Sequence, residues 1–214
     1  AAAMAPGPAG AGPARGARPK VLYIHGLEAG PSGKKVSALR RHFDVVAEQM
    51  QTPTYAEIMD PEYLRQRLPE VLDRCVEQQA AAVAQARPDV VVASSYGAAV
   101  CLELLEARRW TGPTVLVAPA PADFLQPGRR GYSLAGVPGP VLALHGARDE
   151  LIPPARSREL VATGDPGAAC LEVLDDDHAM NATLAEQDLL GAYVFRVLRG
   201  RAGDGPGGPP QARL

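Results

Sequence analysis

The stretch Val90-Val91-Val92-Ala93-Ser94-Ser95-Tyr96-Gly97-Ala98-Ala99 decides the fold of this chain. Its first half is an unbroken apolar run, the pattern of a strand buried on both faces of a sheet. Its second half is built of small residues apart from Tyr96 and leads into Ala98 to Trp110, which reads as a helix with apolar Val100, Leu102, Leu104 and Leu105. Ser95 stands where the strand must turn sharply. Centring the turn on Ser95 puts Ala93 and Gly97 at the two flanking small positions. Centring it on Ser94 would put the bulky Val92 and Tyr96 there instead. The form is Gly-x-Ser-x-Gly with Ala93 in place of the first glycine. Such a turn lifts a serine hydroxyl clear of the sheet and aims the next backbone N–H at a reacting carbonyl. The plainer alternative is a serine that only caps the following helix.

A nucleophilic serine needs a base, and the base needs an acid to orient it. In α/β hydrolases these follow in the order Ser, acid, His, each on a loop after a strand. Downstream, Val141-Leu142-Ala143-Leu144-His145-Gly146-Ala147-Arg148-Asp149 reads as a strand, a glycine turn and an acid. Further on, Cys170 to Leu174 reads as a strand, followed by Asp175-Asp176-Asp177-His178. Ser95, Asp149 and His178 therefore occur in the required order. The C-terminal ends of parallel strands are where active sites gather. Of the four histidines, His42 lies in the polar run Arg40-Arg41-His42 and reads as a solvated surface residue. His145 closes a strand and reads as a bonded residue beneath the site, and His25 stands at the end of the first strand. That leaves His178 as the base. Asp149 is preferred as the acid, with Asp123 as the runner-up because it also follows a strand. Glu150 is adjacent but would point elsewhere, and the run Asp175 to Asp177 reads as solvated.

The first strand, Val21 to Ile24, runs into His25-Gly26-Leu27. A developing oxyanion needs preorganised donors. The backbone N–H groups of Tyr96 and Leu27 are the candidates, with Gly26 allowing close approach and His25, Gly26 and Gly97 in support. In these residues the chain resembles a serine hydrolase of the α/β-hydrolase superfamily, in a small, nearly capless, esterase-like branch. The loop Gly30-Pro31-Ser32-Gly33-Lys34-Lys35 is similar to the opening of small bacterial-type esterases, and the resemblance spans roughly residues 19–199. It implies a triad of Ser95, Asp149 and His178 and no metal or organic cofactor.

Strand and helix patterns alternate along the chain, which indicates a mostly parallel six-stranded sheet with helices on both faces and a minimal cap. Strands are expected near Val21–Ile24, Phe43–Glu48, Asp89–Val92, Thr114–Ala118, Val141–Leu144 and Cys170–Leu174. Helices are expected near Lys34–Arg41, Pro61–Ala86 with an interruption at Pro69, Ala98–Trp110, Pro154–Val161 and Leu184–Leu198. Residues 1–19 and 200–214 are rich in Pro and Gly and read as disordered tails around one α/β-hydrolase domain, 20–199. Tyr55, Phe124, Leu125 and Tyr132 are expected to border an open site that admits modest acyl or alcohol groups.

The 214 residues carry a formal net charge of −2, which makes no case for nucleic acid. No apolar run is long enough to span a bilayer. Three cysteines without metal-like spacing point to reduced thiols in a cytoplasmic setting, or an organellar one if the Arg-bearing, acid-free N-terminal stretch belongs to a transit peptide. Nothing fixes an oligomeric state. A phosphate-binding reading of Gly30 to Lys35 fails, because the P-loop spacing places Glu28 at the first glycine and Lys35 at the hydroxyl position. The expected activity is cleavage of a small or medium carboxylic ester through an acyl-enzyme. The alternatives are an acyl-thioesterase or acyl-protein hydrolase with the same residues, or a non-catalytic scaffold of the same fold.

Overall fold

A computed structural model describes residues 18–200; the expected tails lie almost wholly outside them. Six strands, β1 (Lys20–Ile24), β2 (Asp44–Ala47), β3 (Val90–Ser94), β4 (Thr114–Val117), β5 (Val141–Gly146) and β6 (Ala169–Leu174), form one sheet in the order β2-β1-β3-β4-β5-β6. Every pair is parallel, so the expected sheet is parallel throughout. The chain steps outward from β1 to β2, then returns to lay β3 on the other side of β1. That reversal opens a crevice at the carboxyl ends of β1 and β3.

A parallel sheet must be covered on both faces, and side chains alternate across it. On one face Leu22, Ile24, Val91, Ala93 and Leu116 pack with Leu68, Leu72, Leu102 and Leu105. The last four belong to helices α4 (Leu68–Ala86) and α5 (Tyr96–Glu106). On the other face Val21, Tyr23, Val90, Val92 and Leu144 pack with α1 (Lys34–Arg40) and α8 (Leu189–Leu198) through Val36, Leu39, Val194 and Val197. Among the described residues no helix is long and apolar enough to cross a membrane.

The interruption expected in the Pro61–Ala86 helix is present, two residues ahead of Pro69: α3 (Pro61–Gln66) and α4 are parted at Arg67. Pro69 lacks an N–H and its ring would crowd the carbonyl four residues back, so a new helix starts with Pro69 in its first turn. The expected Leu184–Leu198 helix is a π-helical turn, Ala182–Glu186, followed by α8, because Asp188 adopts a left-handed conformation at φ 58° between them. Two four-residue helices, α2 (Tyr55–Ile58) and α6 (Ala122–Leu125), were not expected, and both flank the crevice. The remaining helix, α7 (Pro154–Ala162), follows β5. No disulfide links the three cysteines; Cys75 and Cys101 are buried and Cys170 partly so.

Candidate active site

Ser95 sits at the turn from β3 into α5 with φ 55° and ψ −119°. A non-glycine residue there is strained by roughly 1–3 kcal/mol and persists only where its surroundings fix it. They do. Its N–H donates to Val117 O at 2.8 Å, and its carbonyl accepts from Ala98 N at 2.9 Å and from Ala99 N and Ala120 N at 3.3 Å. The turn presses against the end of β1. A Cβ built on Gly97 would lie 2.4 Å from the carbonyl oxygens of both Ile24 and His25, so only glycine fits. Ala93, at the other small position, lies inside β3 opposite Ile24 and Leu116, where a methyl group is accommodated.

Ser95 Oγ lies 2.9 Å from His178 Nε2, and His178 Nδ1 lies 2.7 Å from Asp149 Oδ2. A carboxylate can only accept, so Nδ1 carries the proton and Nε2 is left to accept from the serine hydroxyl. The other oxygen, Asp149 Oδ1, accepts from the backbone N–H of Leu151 at 3.0 Å and of Ile152 at 2.9 Å. These bonds pin the acid to its own turn. Asp123, the runner-up, is drawn instead into α6, where it pairs with Arg156 at the surface. Glu150 is exposed and lines the cavity above Ser95.

A further histidine meets the acid. His145 Nε2 lies 3.0 Å from Asp149 Oδ2 and 2.8 Å from Ile152 O, both side chains being wholly buried. Both neighbours are acceptors, so Nε2 bears the hydrogen. His145 Nδ1, 2.7 Å from Ser157 Oγ, accepts from the buried Ser157 hydroxyl. Burial holds the His145 pKa below its ordinary value, against the pull of the Ile152 carbonyl and Asp149. The spacing His145-x3-Asp149 was visible in the sequence, but nothing there linked Ser157 to it.

The loop carrying His178 is fixed by the run that reads as solvated. Asp176 is buried, accepting from Thr183 N and Oγ1, both at 2.8 Å, and from Asp177 N at 2.9 Å. Burial acts to raise its pKa, but these bonds hold it below the ordinary value. Gly146 lets the loop pass, because an added Cβ would lie 2.3 Å from Asp177 O. His42 is half-exposed, and its Nε2 lies 2.7 Å from Asp188 Oδ2.

His25 donates from Nδ1 to Gly26 O at 2.8 Å and accepts at Nε2 from Met50 N–H at 2.9 Å. It braces the turn as a neutral ring. A Cβ on Gly26 would stand 3.2 Å from Ser95 Cβ, so the Gly26-Leu27 turn lies directly against the serine. Tyr96 is the first residue of α5, where a backbone N–H has no partner within the helix.

Leu27, Tyr55, Phe124 and Leu125 line a cavity of about 600 Å³ over Ser95 and His178, together with Ile58, Met59 and Leu151. Tyr132 does not. It is buried in a neighbouring recess with its hydroxyl donating to Glu103 Oε1 at 2.9 Å, because the Pro- and Gly-rich segment folds back over α5 rather than over the crevice. Lys35 lines the cavity beside His178, its ammonium donating to Ala179 O and lowered to about 8 by burial against the pull of Asp176 and Asp177. Among the described residues no group of three or more His, Cys, Asp or Glu side chains is arranged to hold a metal ion.

No protein-family model and no curated protein sequence matches this chain. Solved structures do. A protein from Xanthomonas campestris pv. campestris assigned to the alpha/beta hydrolase superfamily aligns at 24% identity, covering 86% of this chain and 99% of that one, with a TM-score of 0.59. Mouse alpha/beta hydrolase domain-containing protein 10 aligns at 14% identity over 87% and 92%, TM-score 0.61. A carboxylesterase from Bacillus cereus aligns at 18% identity over 83% and 89%, TM-score 0.55. With the parallel sheet, its strand order and the turn at Ser95, these likenesses establish that the chain has the α/β-hydrolase fold.

Proposed function

We propose that the protein is a serine hydrolase that cleaves carboxylic esters through an acyl-enzyme, with Ser95 as nucleophile, His178 as general base and acid, and Asp149 orienting the imidazole. The observation that carries this reading is the unbroken hydrogen-bonded line from Ser95 Oγ through His178 to Asp149. Its three residues sit on three different loops, after β3, β5 and β6. The fold, which the Bacillus cereus carboxylesterase shares, is consistent with it.

In the first half-reaction the Ser95 oxygen attacks the ester carbonyl carbon while its proton passes to His178 Nε2. Asp149 stabilises the imidazolium that forms. The backbone N–H groups of Leu27 and Tyr96 would hold the tetrahedral oxyanion, each donor contributing roughly 3 kcal/mol at the transition state. The intermediate collapses, and the alcohol leaves with the proton from His178. Water, deprotonated by His178, then attacks the acyl-enzyme and releases the acid and free Ser95. No metal or organic cofactor takes part in this scheme.

Steady-state hydrolysis of p-nitrophenyl esters tests the reading. Ser95→Ala and His178→Ala should each lower kcat by roughly 10⁴-fold or more, since the members of such a unit fail together. Retention of near-normal turnover by Ser95→Ala would overturn it.

A further inference from the structure

We infer that the substrates are esters of an apolar acyl chain of medium length, seated between α2 and α6. This rests on the ester-hydrolase reading above. An acyl carbonyl can be attacked only where Ser95 reaches it, so the wall of the cavity over Ser95 decides which acyl groups are held.

That wall carries large apolar side chains at its rim as well as its floor. Tyr55 and Met59 on and just after α2, Phe124 on α6 and Leu151 after β5 are between 37% and 61% exposed, yet all four line this cavity. They are four of the five large apolar side chains left exposed among the described residues; the fifth, Val173, lies on β6. Single exposed apolar residues need no explanation, but a contiguous patch rimming a cleft marks a binding site.

The wall is also anchored. A four-residue helix has little stability of its own. Here Thr54 and Glu57 form a reciprocal cap on α2, and Glu28 Oε1 accepts from Tyr55 N–H at 3.1 Å. Glu28, itself at φ 49°, ties α2 to the turn that carries Leu27. Three of the charges around the cavity are committed elsewhere: Glu28 to that bond, Lys34 to Glu186, and Lys35 to Ala179 O. The fourth, Glu150, is exposed and would repel an acidic acyl group.

Size sets the length. At about 30 Å³ per group, the liquid volume of a water, a cavity of about 600 Å³ takes on the order of twenty heavy-atom groups. An acyl chain of about eight carbons and a modest leaving group both fit. Longer chains would run out past Met59 and Leu151 into solvent, so the gain with length should level off rather than reverse.

The test is kcat/KM for p-nitrophenyl acetate, butyrate, hexanoate, octanoate and laurate, with fluorophosphonate labelling of Ser95 measured in parallel. About 0.8 kcal/mol per buried methylene converts to roughly fourfold per added methylene in the early part of the series. The octanoate-to-acetate ratio should then fall about tenfold in Phe124→Asp and in Met59→Asp, both at exposed positions, and stay unchanged in Val173→Thr. A series that is flat or falls beyond acetate, in protein that labels at Ser95, overturns the inference and leaves the hydrolase reading intact. Equal ratios in all three variants also overturn it. Failure both to label and to hydrolyse any ester would overturn the two together.

Discussion

At the scale of single residues, the site is a set of groups that each leave their neighbour one protonation pattern. Asp149 receives four donors: two backbone N–H groups, His178 and His145. The Ile152 carbonyl and Asp149 place the hydrogen of His145 on Nε2, and Ser157 donates to the nitrogen left over. Asp149→Asn should lower kcat by two to four orders of magnitude (roughly 10²–10⁴), because the amide can offer His178 a donor and so favour the wrong tautomer. Near-normal turnover in that variant would mean that Asp149 does not orient the base. Ser157→Ala leaves His145 Nδ1 buried without a donor, and should cost about 1–3 kcal/mol in urea unfolding. Ser95, Asp149 and His178, which the structure brings into one hydrogen-bonded line, were legible in the sequence because each follows a strand in a fixed order. Ser157 was not, since its role depends on α7 folding back to place a hydroxyl under β5.

At the scale of elements, the strand-to-helix turn at Ser95 depends on two small residues with unequal tolerance. Gly97→Ala drives a methyl group into two backbone carbonyls at 2.4 Å, which cannot withdraw without moving β1. It should destabilise by at least about 1–3 kcal/mol and impair turnover with it. Ala93→Gly removes only a methyl group from a strand and should cost about 1 kcal/mol or less through added chain entropy. Urea denaturation of both variants checks this contrast, and equal costs would contradict it. The alternation of apolar strands with helices made the six strands readable. The helices α2 and α6 were not readable, since four residues give no period, and Thr54 and Glu57 as a cap gain meaning only beside Glu28. Tyr132 was misplaced for a related reason. Its segment lacks periodicity, and what decides its path is the carboxylate of Glu103 on α5, which binds both Tyr132 and Arg129.

For the whole molecule, the two packed faces of the sheet supply the stability, and buried ionisable groups set how it varies with pH. His145 is held neutral by burial, its pKa below the ordinary 6.5. The unfolded chain therefore binds the extra proton first, and stability present above about pH 6.5 declines as the pH falls through that value. Asp176 adds to this at lower pH. Its pKa lies below the ordinary 3.8, so its contribution is present above that value and is lost as the pH falls toward the folded-state pKa. The urea midpoint should thus decline from pH 7 to 5, and His145→Gln should flatten that decline even though the variant is less stable at pH 7. An equal slope in the two proteins would show that His145 is not the group responsible.

The central claim is that Ser95 is a nucleophile activated by His178, and covalent labelling reads it most directly. Incubation of the full chain with a fluorophosphonate, followed by peptide mass mapping, should give one adduct, on Ser95, lost in Ser95→Ala and formed far more slowly in His178→Ala. An adduct on another residue, no adduct at all, or labelling of Ser95 at an undiminished rate without His178 would contradict the account.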